Sequence, residues 1–535
     1  MVADPDRGAG WRDGAGLLKP PPPFRALLKG SADTPIPDAR WTPSGVHMSV
    51  THAVGIDAFK ILEHSYMTKS TCDILIHSGQ ILSMDSERRI YRPGAVAITG
   101  SRITDVGVDA ELRPRFDARQ TIDAEGGVVH PGFIDSHNHI VHTSCRGVFG
   151  NVHDAGSSPV NFADWKAGVT EEDEAAATAM AGLEMLRSGF TMFIEPGSLF
   201  STDAGAEAVE RVGLRALFAP LYLWDRRETF EAMPALESES LMARAPIDLD
   251  RSLGQLDVEL HRNKDPEALV RGYVFVYGVG TASPELLQAA HACARDNNVP
   301  LQLHAGYVPR ETEIYRAMTG VSQLLHLREL GVLDEHTVII HANVLDEAEE
   351  TAVHESGCQV VWCPTAFFSL GMGRGANFKM AERYRRGIRV SLGTDGAFDC
   401  TPGENMLAAH HVSQTYGELL SPEALLEMQT INGAAAAGLG TELGSLESGK
   451  RADLVVRSAR GVEAYPDNNP VHRVALTMGT GSVDTVLVNG EVVFSGGHST
   501  RVDESQVYRT VSDSVVARAK RLDIDLGPEW PIVSS

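Results

Sequence analysis

Hydrophobic and polar positions follow two different patterns along the chain. Near both ends, apolar and polar residues alternate, as in CDILIHSGQILSMD from Cys72 and VDTVLVNGEVVFSG from Val483. Alternation interrupted by glycine is typical of short strands joined by tight turns. Because this pattern flanks the middle of the chain on both sides, we predict one small antiparallel β domain, a β-sandwich, built from both chain ends.

The middle of the chain repeats a short apolar run followed by a helical pattern. A helix is predicted over Glu171–Ser188, which stops at Gly189, and another begins with Ser283 as N-cap and Pro284 in its first turn. The apolar runs predicted as strands are Gly132–Asp135, Phe190–Glu195, Leu214–Leu221, Tyr273–Val279, Pro300–His304, Val338–His341, Val360–Cys363 and Val390–Asp395.

Eight apolar strands that alternate with helices predict an α/β fold, a (β/α)8 TIM barrel. A doubly wound open sheet is the alternative, and the lack of G-x-G-x-x-G after the first strand disfavours it. The Pro-rich and Gly-rich start predicts a flexible extension. The expected order is this extension at 1–71, the β domain at 72–129 and 443–500, the catalytic TIM barrel at 130–442, and a C-terminal helical tail at 501–535.

Composition and charge disfavour nucleic acids and membranes as partners. The chain has 535 residues, of which 43% are hydrophobic, and a formal net charge of −24. An acidic surface disfavours binding to nucleic acids and to anionic membranes. The sequence shows neither a membrane span nor an apolar signal region, and its six scattered cysteines are typical of free thiols in a reducing compartment. We therefore expect a cytoplasmic protein with no nucleic-acid or membrane partner.

Residues that carry chemistry close four of the predicted strands. The first strand runs into His137-Asn-His139, the fifth ends in His304, the sixth in His341 and the eighth in Asp395. In a barrel, catalytic side chains project from the carboxyl ends of the strands. Two histidines separated by one residue on an extended segment face the same side, so both imidazoles can bind one ion.

Each of these residues taken singly has a structural explanation, because a histidine can lie in the core and an aspartate can cap a helix. Taken together, they predict one divalent metal ion bound by His137, His139, His304 and Asp395, with room for water. A divalent ion in such a set makes water a nucleophile at neutral pH. Zinc is the expected ion, with iron and manganese as alternatives.

Six further stretches carry recognisable motifs. They are HPGFIDSHNH (130–139), LQLHAG (301–306), VIIHANVLDE (338–347), VVWCPTAFFSLGMG (360–373), VSLGTDGA (390–397) and LGSLESGKRADLVV (443–456). These motifs resemble those of the amidohydrolase superfamily, and they look most like the branch that holds cytosine, guanine and methylthioadenosine deaminases and the s-triazine hydrolases. This resemblance implies a mononuclear metal site with the same ligands, catalytic roles for His341 and Asp395, and a homo-oligomer.

One position departs from the branch. The branch usually carries a glutamate three residues after the strand-five histidine, and this glutamate shuttles protons to an aromatic ring nitrogen; here the position is Tyr307. With a pKa near 10, tyrosine donates hydrogen bonds but is a poor proton shuttle at pH 7. We therefore expect hydrolysis of a non-peptide C–N bond, amide-, urea- or carbamate-like, in a small and partly apolar molecule.

Two alternatives stay open. An aminohydrolase or dechlorinase of a purine, pyrimidine or s-triazine ring would need a substitute acid, such as Glu195 or Glu311. A non-catalytic relative would show a broken ligand set, whereas all five expected residues are present.

Further residues are predicted to contact the small-molecule substrate. Arg146 either binds a polar substrate group or pairs with a local carboxylate, and Glu195 either replaces the missing acid or fixes a loop by hydrogen bonds. Phe367 and Phe368 stand where the branch often has a polar pair. The predicted substrate contacts are Tyr307, His142, Arg146, Glu195, Phe367 and Phe368.

Overall fold

The computed structural model describes residues 69–149, 161–233, 236–369, 371–373, 375–376, 378–396, 401–527 and 530–533. These residues all belong to one compact unit. Most of the predicted N-terminal extension, residues 1–68, lies outside the described residues. In the described part of the chain, every helix is too short or too polar to cross a membrane.

The strands are numbered in chain order. They are β1 (Ser70–Leu82), β2 (Ile90–Thr99), β3 (Arg102–Val108), β4 (Phe116–Asp123), β5 (Val128–Pro131), β6 (Phe133–Asp135), β7 (Phe190–Ile194), β8 (Arg215–Phe218), β9 (Val270–Gly272), β10 (Val274–Gly278), β11 (Leu301–Ala305), β12 (Thr337–His341), β13 (Gln359–Trp362), β14 (Val390–Leu392), β15 (Leu454–Arg457), β16 (Val483–Val488), β17 (Glu491–Ser495) and β18 (His498–Ser499).

The helices lie mainly between the strands of the middle region. The α-helices are Asp109–Leu112, Phe162–Ala167, Glu171–Ser188, Thr202–Val212, Glu239–Arg244, Leu249–Leu253, Pro284–Asp296, Pro309–Thr319, Gln323–Glu329, Glu347–Ser356, Pro364–Ser369, Met380–Arg385, Asn405–Thr415, Pro422–Gln429, Ile431–Ala436, Pro470–Leu476 and Glu504–Arg521. The 3-10 helices are Arg113–Arg115, Ile140–Cys145, Glu228–Ala232, Val258–Lys264, Val279–Thr281, Pro402–Glu404, Val462–Ala464 and Thr480–Ser482.

Local sequence signals account for the helix bounds. Thr170 and Asp173 form a reciprocal capping box at the start of helix Glu171–Ser188, and Gly189 ends it with a φ of 86°. The Ser283 hydroxyl accepts a hydrogen bond from the Leu286 N–H at 3.2 Å. Both helix predictions are therefore confirmed.

The predicted strands of the middle region are present and parallel. Strands β6 to β9 form a four-stranded sheet in that order, and β10 to β14 form a five-stranded sheet. One element was missed: the predicted strand from Tyr273 is preceded by β9, whose sequence Val-Arg-Gly carries little apolar signal. Only Tyr273 separates β9 from β10, and its N–H donates to the Phe218 carbonyl at 3.1 Å.

Two backbone hydrogen bonds connect the outer strands of these two sheets at their carboxyl ends. The Ser136 N–H donates to the Leu392 carbonyl at 3.0 Å, and the Asp395 N–H donates to the His137 carbonyl at 2.9 Å. The middle region is thus an α/β arrangement of parallel strands, and its strand ends meet where the predicted metal ligands lie.

The β domain contains strands from both chain ends, but its strand directions differ from the prediction. The sheet order is β18-β17-β16-β15-β5-β1-β2-β3, with β4 also paired to β1. The prediction of an antiparallel layer is wrong for β1, which runs parallel to both β4 and β5. Helix Asp109–Leu112 lies between β3 and β4, and this crossover allows β4 to enter parallel to β1.

Two buried contacts fix neighbouring elements to the middle region. Arg215 at the start of β8 donates two hydrogen bonds to the Asp453 carboxylate, at 3.0 and 3.1 Å. Helix Glu504–Arg521 places the Arg518 guanidinium 4.6 Å from the Trp165 ring centroid and 3.3 Å from the Ser144 hydroxyl oxygen. The chain end therefore contacts the 3-10 helix that follows the first histidine pair.

Candidate metal centre

The structure brings the predicted ligands together at the carboxyl ends of the parallel strands. The His137 Nε2 atom lies 3.2 Å from the His304 Nε2 atom and 3.2 Å from the Asp395 Oδ1 atom. The His139 Nε2 atom lies 3.4 Å from the same carboxylate oxygen. His341 joins His137 and Asp395 in a group whose ligand atoms lie within 4.8 Å of one another. The four predicted ligands and His341 therefore form one cluster.

Two of these residues have an unusual backbone conformation. His341 has a φ of 74° and Asp395 a φ of 60°, both in the left-handed region that non-glycine residues rarely adopt. Each such residue costs about 1–3 kcal/mol and persists only where the surrounding structure enforces it. His341 is the last residue of β12, and Asp395 follows the end of β14; both conformations accompany the approach of the two side chains to the other histidines.

Glycines next to Asp395 allow the two outer strands to approach closely. A Cβ atom at Gly393 would lie 2.9 Å from the His137 Cβ atom, and one at Gly396 would lie 2.6 Å from the His139 carbonyl oxygen. Any larger residue would push this segment away from the histidine pair. The Gly-Thr-Asp-Gly sequence therefore has a steric role.

A buried carboxylate, that of Asp135, is hydrogen-bonded to residues next to the predicted ligands. Asp135 accepts hydrogen bonds from the Thr394 N–H at 3.0 Å, from the Thr394 hydroxyl at 2.5 Å and from the Asn138 amide at 2.9 Å. Because these partners flank Asp395 and His137, the network fixes both ligand segments. His304 is oriented in the same way, since its Nδ1 hydrogen-bonds the Tyr277 carbonyl and leaves Nε2 facing the cluster. Sequence reasoning missed both braces.

Electrostatics of the cluster suit a bound cation. Burial lowers the pKa of His137 and His304 to about 3 and the pKa of His139 and His341 well below the usual value. All four imidazoles are therefore neutral at pH 7, as metal ligation requires. Three Nε2 atoms and one carboxylate oxygen converge with contacts of 3.2–3.4 Å, and a bound cation would accept a lone pair from each. The donor set fits a divalent metal ion.

Two predicted substrate contacts lie beside this cluster. The Tyr307 ring centroid is 5.1 Å from that of His341, and burial raises the pKa of the Tyr307 phenol above its usual value. The His142 ring stacks on that of His139 at 4.9 Å. The Nε2 atom of His142 is buried without a hydrogen-bond partner among the described residues.

The two glutamates considered as substitute acids are engaged in loop hydrogen bonds. Glu195 accepts from the Ser198 N–H at 3.0 Å and from the Ser198 hydroxyl. Glu311 accepts from the Gln323 amide at 2.8 Å and from the Tyr307 N–H at 3.1 Å. Burial raises the pKa of Glu195 to about 8 and that of Glu311 to about 7. Both carboxyls thus brace turns that follow strands.

Arg146 pairs with a local carboxylate. Its Nη2 atom lies 2.7 Å from the Oε2 atom of Glu184, on helix Glu171–Ser188. Of the two alternatives given by the sequence, the structure shows this one. A direct contact of Arg146 with substrate stays a prediction.

The two phenylalanines have different surroundings. Phe367 is buried and packs against Phe378 and Tyr416, with ring centroids 6.3 and 5.9 Å away. Phe368 is 55% exposed and lines a pocket together with Leu407 and His411. The pair therefore presents one side chain to the core and the other to open space.

A buried lysine was missed by the sequence analysis. Lys166, on helix Phe162–Ala167, is 5% exposed, and its Nζ atom lies 4.7 Å from the Tyr222 ring centroid. Burial lowers its pKa to about 8. A lysine in a short helix is usually solvated, so nothing in the local pattern indicates that this position is buried.

The fold and the cluster define a hydrolase-type metal centre on parallel strands, and comparison with known proteins identifies the family. Residues 128–493 match the model of the Amidohydrolase family. The chain also shares 30% identity over 454 residues with a 5-methylthioadenosine/S-adenosylhomocysteine deaminase of Syntrophobacter fumaroxidans, covering 83% of this chain and 98% of that protein. The chain therefore belongs to the amidohydrolase family, and it is a hydrolase that acts on carbon–nitrogen bonds.

Further relatives and solved structures agree. A 5'-deoxyadenosine deaminase of Methanosarcina mazei is 26% identical, with 83% of this chain and 99% of that protein covered. An adenosine deaminase from Xanthomonas campestris with bound zinc superposes with a TM-score of 0.74 at 22% identity, covering 84% of this chain and 100% of that one. Atrazine chlorohydrolase from Arthrobacter aurescens, complexed with zinc, gives 0.70 at 22% identity, covering 83% and 100%. These structural matches show the α/β fold.

Proposed function

We propose that this protein hydrolyses an amide-, urea- or carbamate-like C–N bond of a small, partly apolar molecule. The observation that carries the proposal is the position three residues after His304. Tyr307 stands there in place of a carboxylic acid, and the carboxyls of Glu195 and Glu311 are held by hydrogen bonds to Ser198 and Gln323. Carbonyl hydrolysis does not require protonation of a ring nitrogen, so this site suits it.

The proposed metal ion is a single zinc ion bound by His137, His139, His304 and Asp395. Two structures similar to this chain were solved with zinc, which supports zinc over iron or manganese. When bound, such an ion supplies Lewis acidity and a water molecule of lowered pKa.

The chain's own residues supply the proton transfers. Water adds its oxygen to the carbonyl carbon and gives one proton to the Asp395 carboxylate. Asp395 then passes this proton to the departing nitrogen as the C–N bond breaks, so the products are an acid and an amine. His341 stabilises the negative charge that develops on the carbonyl oxygen, and the protonated Tyr307 phenol donates a hydrogen bond to the substrate.

We propose that the parallel strands close into an eight-stranded barrel and that the end segments form a β-sandwich, with the domain bounds predicted from the sequence. Continuity of β9 and β10 through Tyr273 supports closure on one side. The bonds from Ser136 to Leu392 and from Asp395 to His137 support it on the other. A cytoplasmic location and a homo-oligomer stay predictions, and light scattering on the purified protein tests the second.

A second candidate function is deamination or dechlorination of a heteroaromatic ring. The names of the relatives favour it, since they include deaminases of adenine nucleosides and a chlorohydrolase of a triazine. This chemistry would require Glu311 to leave Gln323 and turn toward the metal centre, or Tyr307 to protonate the ring.

A mass-spectrometric screen of the zinc-loaded protein separates the two functions. One substrate set holds aminated or chlorinated purines, pyrimidines and triazines, and the other holds anilides, phenylureas, carbamates and lactams. Cleavage of the acyclic compounds of the second set into two fragments, or opening of a lactam with gain of one water, supports the proposal. Loss of an amine or chloride from an intact ring would establish the second function instead, and a His304→Ala variant controls for contaminating activity.

A further inference from the structure

Lys166 carries a buried charge that the protein does not neutralise by direct contact. The side chain is 5% exposed, and within the described residues no carboxylate oxygen comes within the 4.0 Å of an ion pair. Its Nζ atom instead faces two aromatic rings, Tyr222 at 4.7 Å and Phe162 at 5.6 Å from the centroids. Such cation–π contacts offset only part of the desolvation of a buried ammonium group.

Short chains of ring contacts connect Lys166 to two metal ligands. On one side, Phe162 lies 5.1 Å from His142, which stacks on His139. The ammonium is therefore separated from this ligand by only two aromatic rings.

On the other side, the Tyr222 ring centroid lies 5.4 Å from that of Tyr277, and Tyr277 lies 4.9 Å from His304. Lys166 is thus connected to both ligands through ring contacts.

Tyr222 adds an unused hydrogen-bond donor at the same place. Its ring is fully buried, and its hydroxyl has no hydrogen-bond partner among the described residues. Its φ of 31° is strained, which is common where a side chain is held for function. An ammonium and a free phenol that meet in one buried region form a donor pair suited to an anion.

The charges around the centre leave room for one negative group on the substrate. A divalent ion and Lys166 bring three positive charges, and Asp395 and an activated water each remove one. Glu195 does not neutralise the remaining positive charge, because burial raises its pKa to about 8. Both of its carboxyl oxygens also accept hydrogen bonds from the Ser198 N–H. Among these groups one positive charge is left over, while Glu174 and Arg518, which also line the pocket beside Lys166, bring one charge of each sign.

We propose that Lys166 and Tyr222 form a subsite for a carboxylate of the substrate, beside the metal centre. This inference rests on the proposed function and narrows it to amide-, urea- or carbamate-like molecules that also carry a carboxylate. A single ammonium balances a carboxylate but not a phosphate dianion. Lys166 and His142 line one small pocket, so the lysine side chain faces the same space as the histidine that stacks on His139.

Calorimetric binding of benzoate and of its neutral isostere nitrobenzene to the zinc-loaded full chain tests the subsite. Neither probe is cleaved, so the result is independent of whether C–N hydrolysis occurs. We expect the wild type to prefer benzoate by about tenfold or more, as a buried charged hydrogen bond implies. Lys166→Met should lose this preference while keeping its zinc content, and Lys166→Arg should retain it.

Two results would overturn the proposal. One is equal affinity of the wild type for the two probes, or no binding of either. The other is an unchanged preference in Lys166→Met, which would assign benzoate binding to the metal alone. Should Lys166→Met fail to fold, Tyr222→Phe removes only the hydroxyl, and it must weaken benzoate binding without affecting nitrobenzene.

Discussion

The Nε2 atoms of His137 and His304 lie 3.2 Å apart, although 167 residues separate them in the chain. Their rings are nearly perpendicular, with an interplanar angle of 86°. Both imidazoles are buried and neutral at pH 7, because burial lowers their pKa to about 3. A cation bound between two such imidazoles would accept a lone pair from each and would stabilise their close approach.

Metal removal should therefore destabilise the folded protein. We expect the melting temperature to fall after chelation and to recover on addition of zinc, since a ligand at 100 times its Kd contributes about 2.7 kcal/mol. Differential scanning calorimetry with and without a chelator measures this. Identical melting curves would argue against metal binding by these residues.

Loss of one ligand should remove both metal and activity. In His304→Ala, we expect turnover to be abolished and zinc content to fall, because only three ligands remain. The Tyr277 carbonyl also loses the imidazole to which it is hydrogen-bonded. His354→Ala is the matched control, as His354 is exposed on helix Glu347–Ser356. Elemental analysis and product assays check both variants. Full activity of metal-free His304→Ala would refute the metal-dependent mechanism.

The Asp135 network should control metal affinity without contacting the ion. Asp135→Ala leaves Thr394 and Asn138 without their acceptor, and we expect metal affinity to fall by about 10- to 100-fold. Competition with a fluorescent chelator measures the change. Asp117→Ala, at an exposed position of β4, should bind metal like the wild type. Equal affinities in the two variants would mean that the ligands are held by other contacts.

Tyr307 should determine which chemistry the site favours. Tyr307→Phe removes a hydrogen-bond donor, and we expect kcat/KM for an amide-like substrate to fall about tenfold, the equivalent of about 1.4 kcal/mol. Tyr307→Glu places an acid at this position and should raise the ratio of ring deamination to amide cleavage. Parallel assays of both substrate sets follow the ratio. An unchanged ratio of ring deamination to amide cleavage in Tyr307→Glu would show that this position does not determine which substrates are cleaved.

Glu195 should make stability depend on pH. Burial raises its pKa to about 8 in the folded state, above the value of about 4.3 expected in an unfolded chain. The folded state therefore holds the proton more tightly, and stability falls as pH rises from about 4.3 to 8. Glu195→Gln keeps an acceptor for Ser198 and should gain melting temperature relative to the wild type between pH 5 and pH 8. If the melting temperatures of the two proteins depended on pH in the same way, Glu195 would not be the source of the pH dependence.

The sequence predicts those features that neighbouring residues encode. Each ligand closes an apolar run, so the pattern that locates β11 also locates His304, and helix Glu171–Ser188 carries its own caps. Features that depend on distant partners were not predictable. The parallel pairing of β1 depends on the chain path after β3, and the burial of Lys166 depends on Tyr222, which follows a different strand.

The contact between Arg518 and the segment Ile140–Cys145 has a consequence for biosynthesis. This segment carries His142 and lies next to the histidine pair, yet the hydrogen bond from Arg518 to Ser144 spans 374 residues. A ribosome must therefore translate nearly all of the catalytic region, and then the helix Glu504–Arg521, before this segment meets its partner. Maturation of the catalytic pocket is consequently a late event in synthesis, and a nascent chain that stalls before this helix lacks one of the contacts that hold His142 in place.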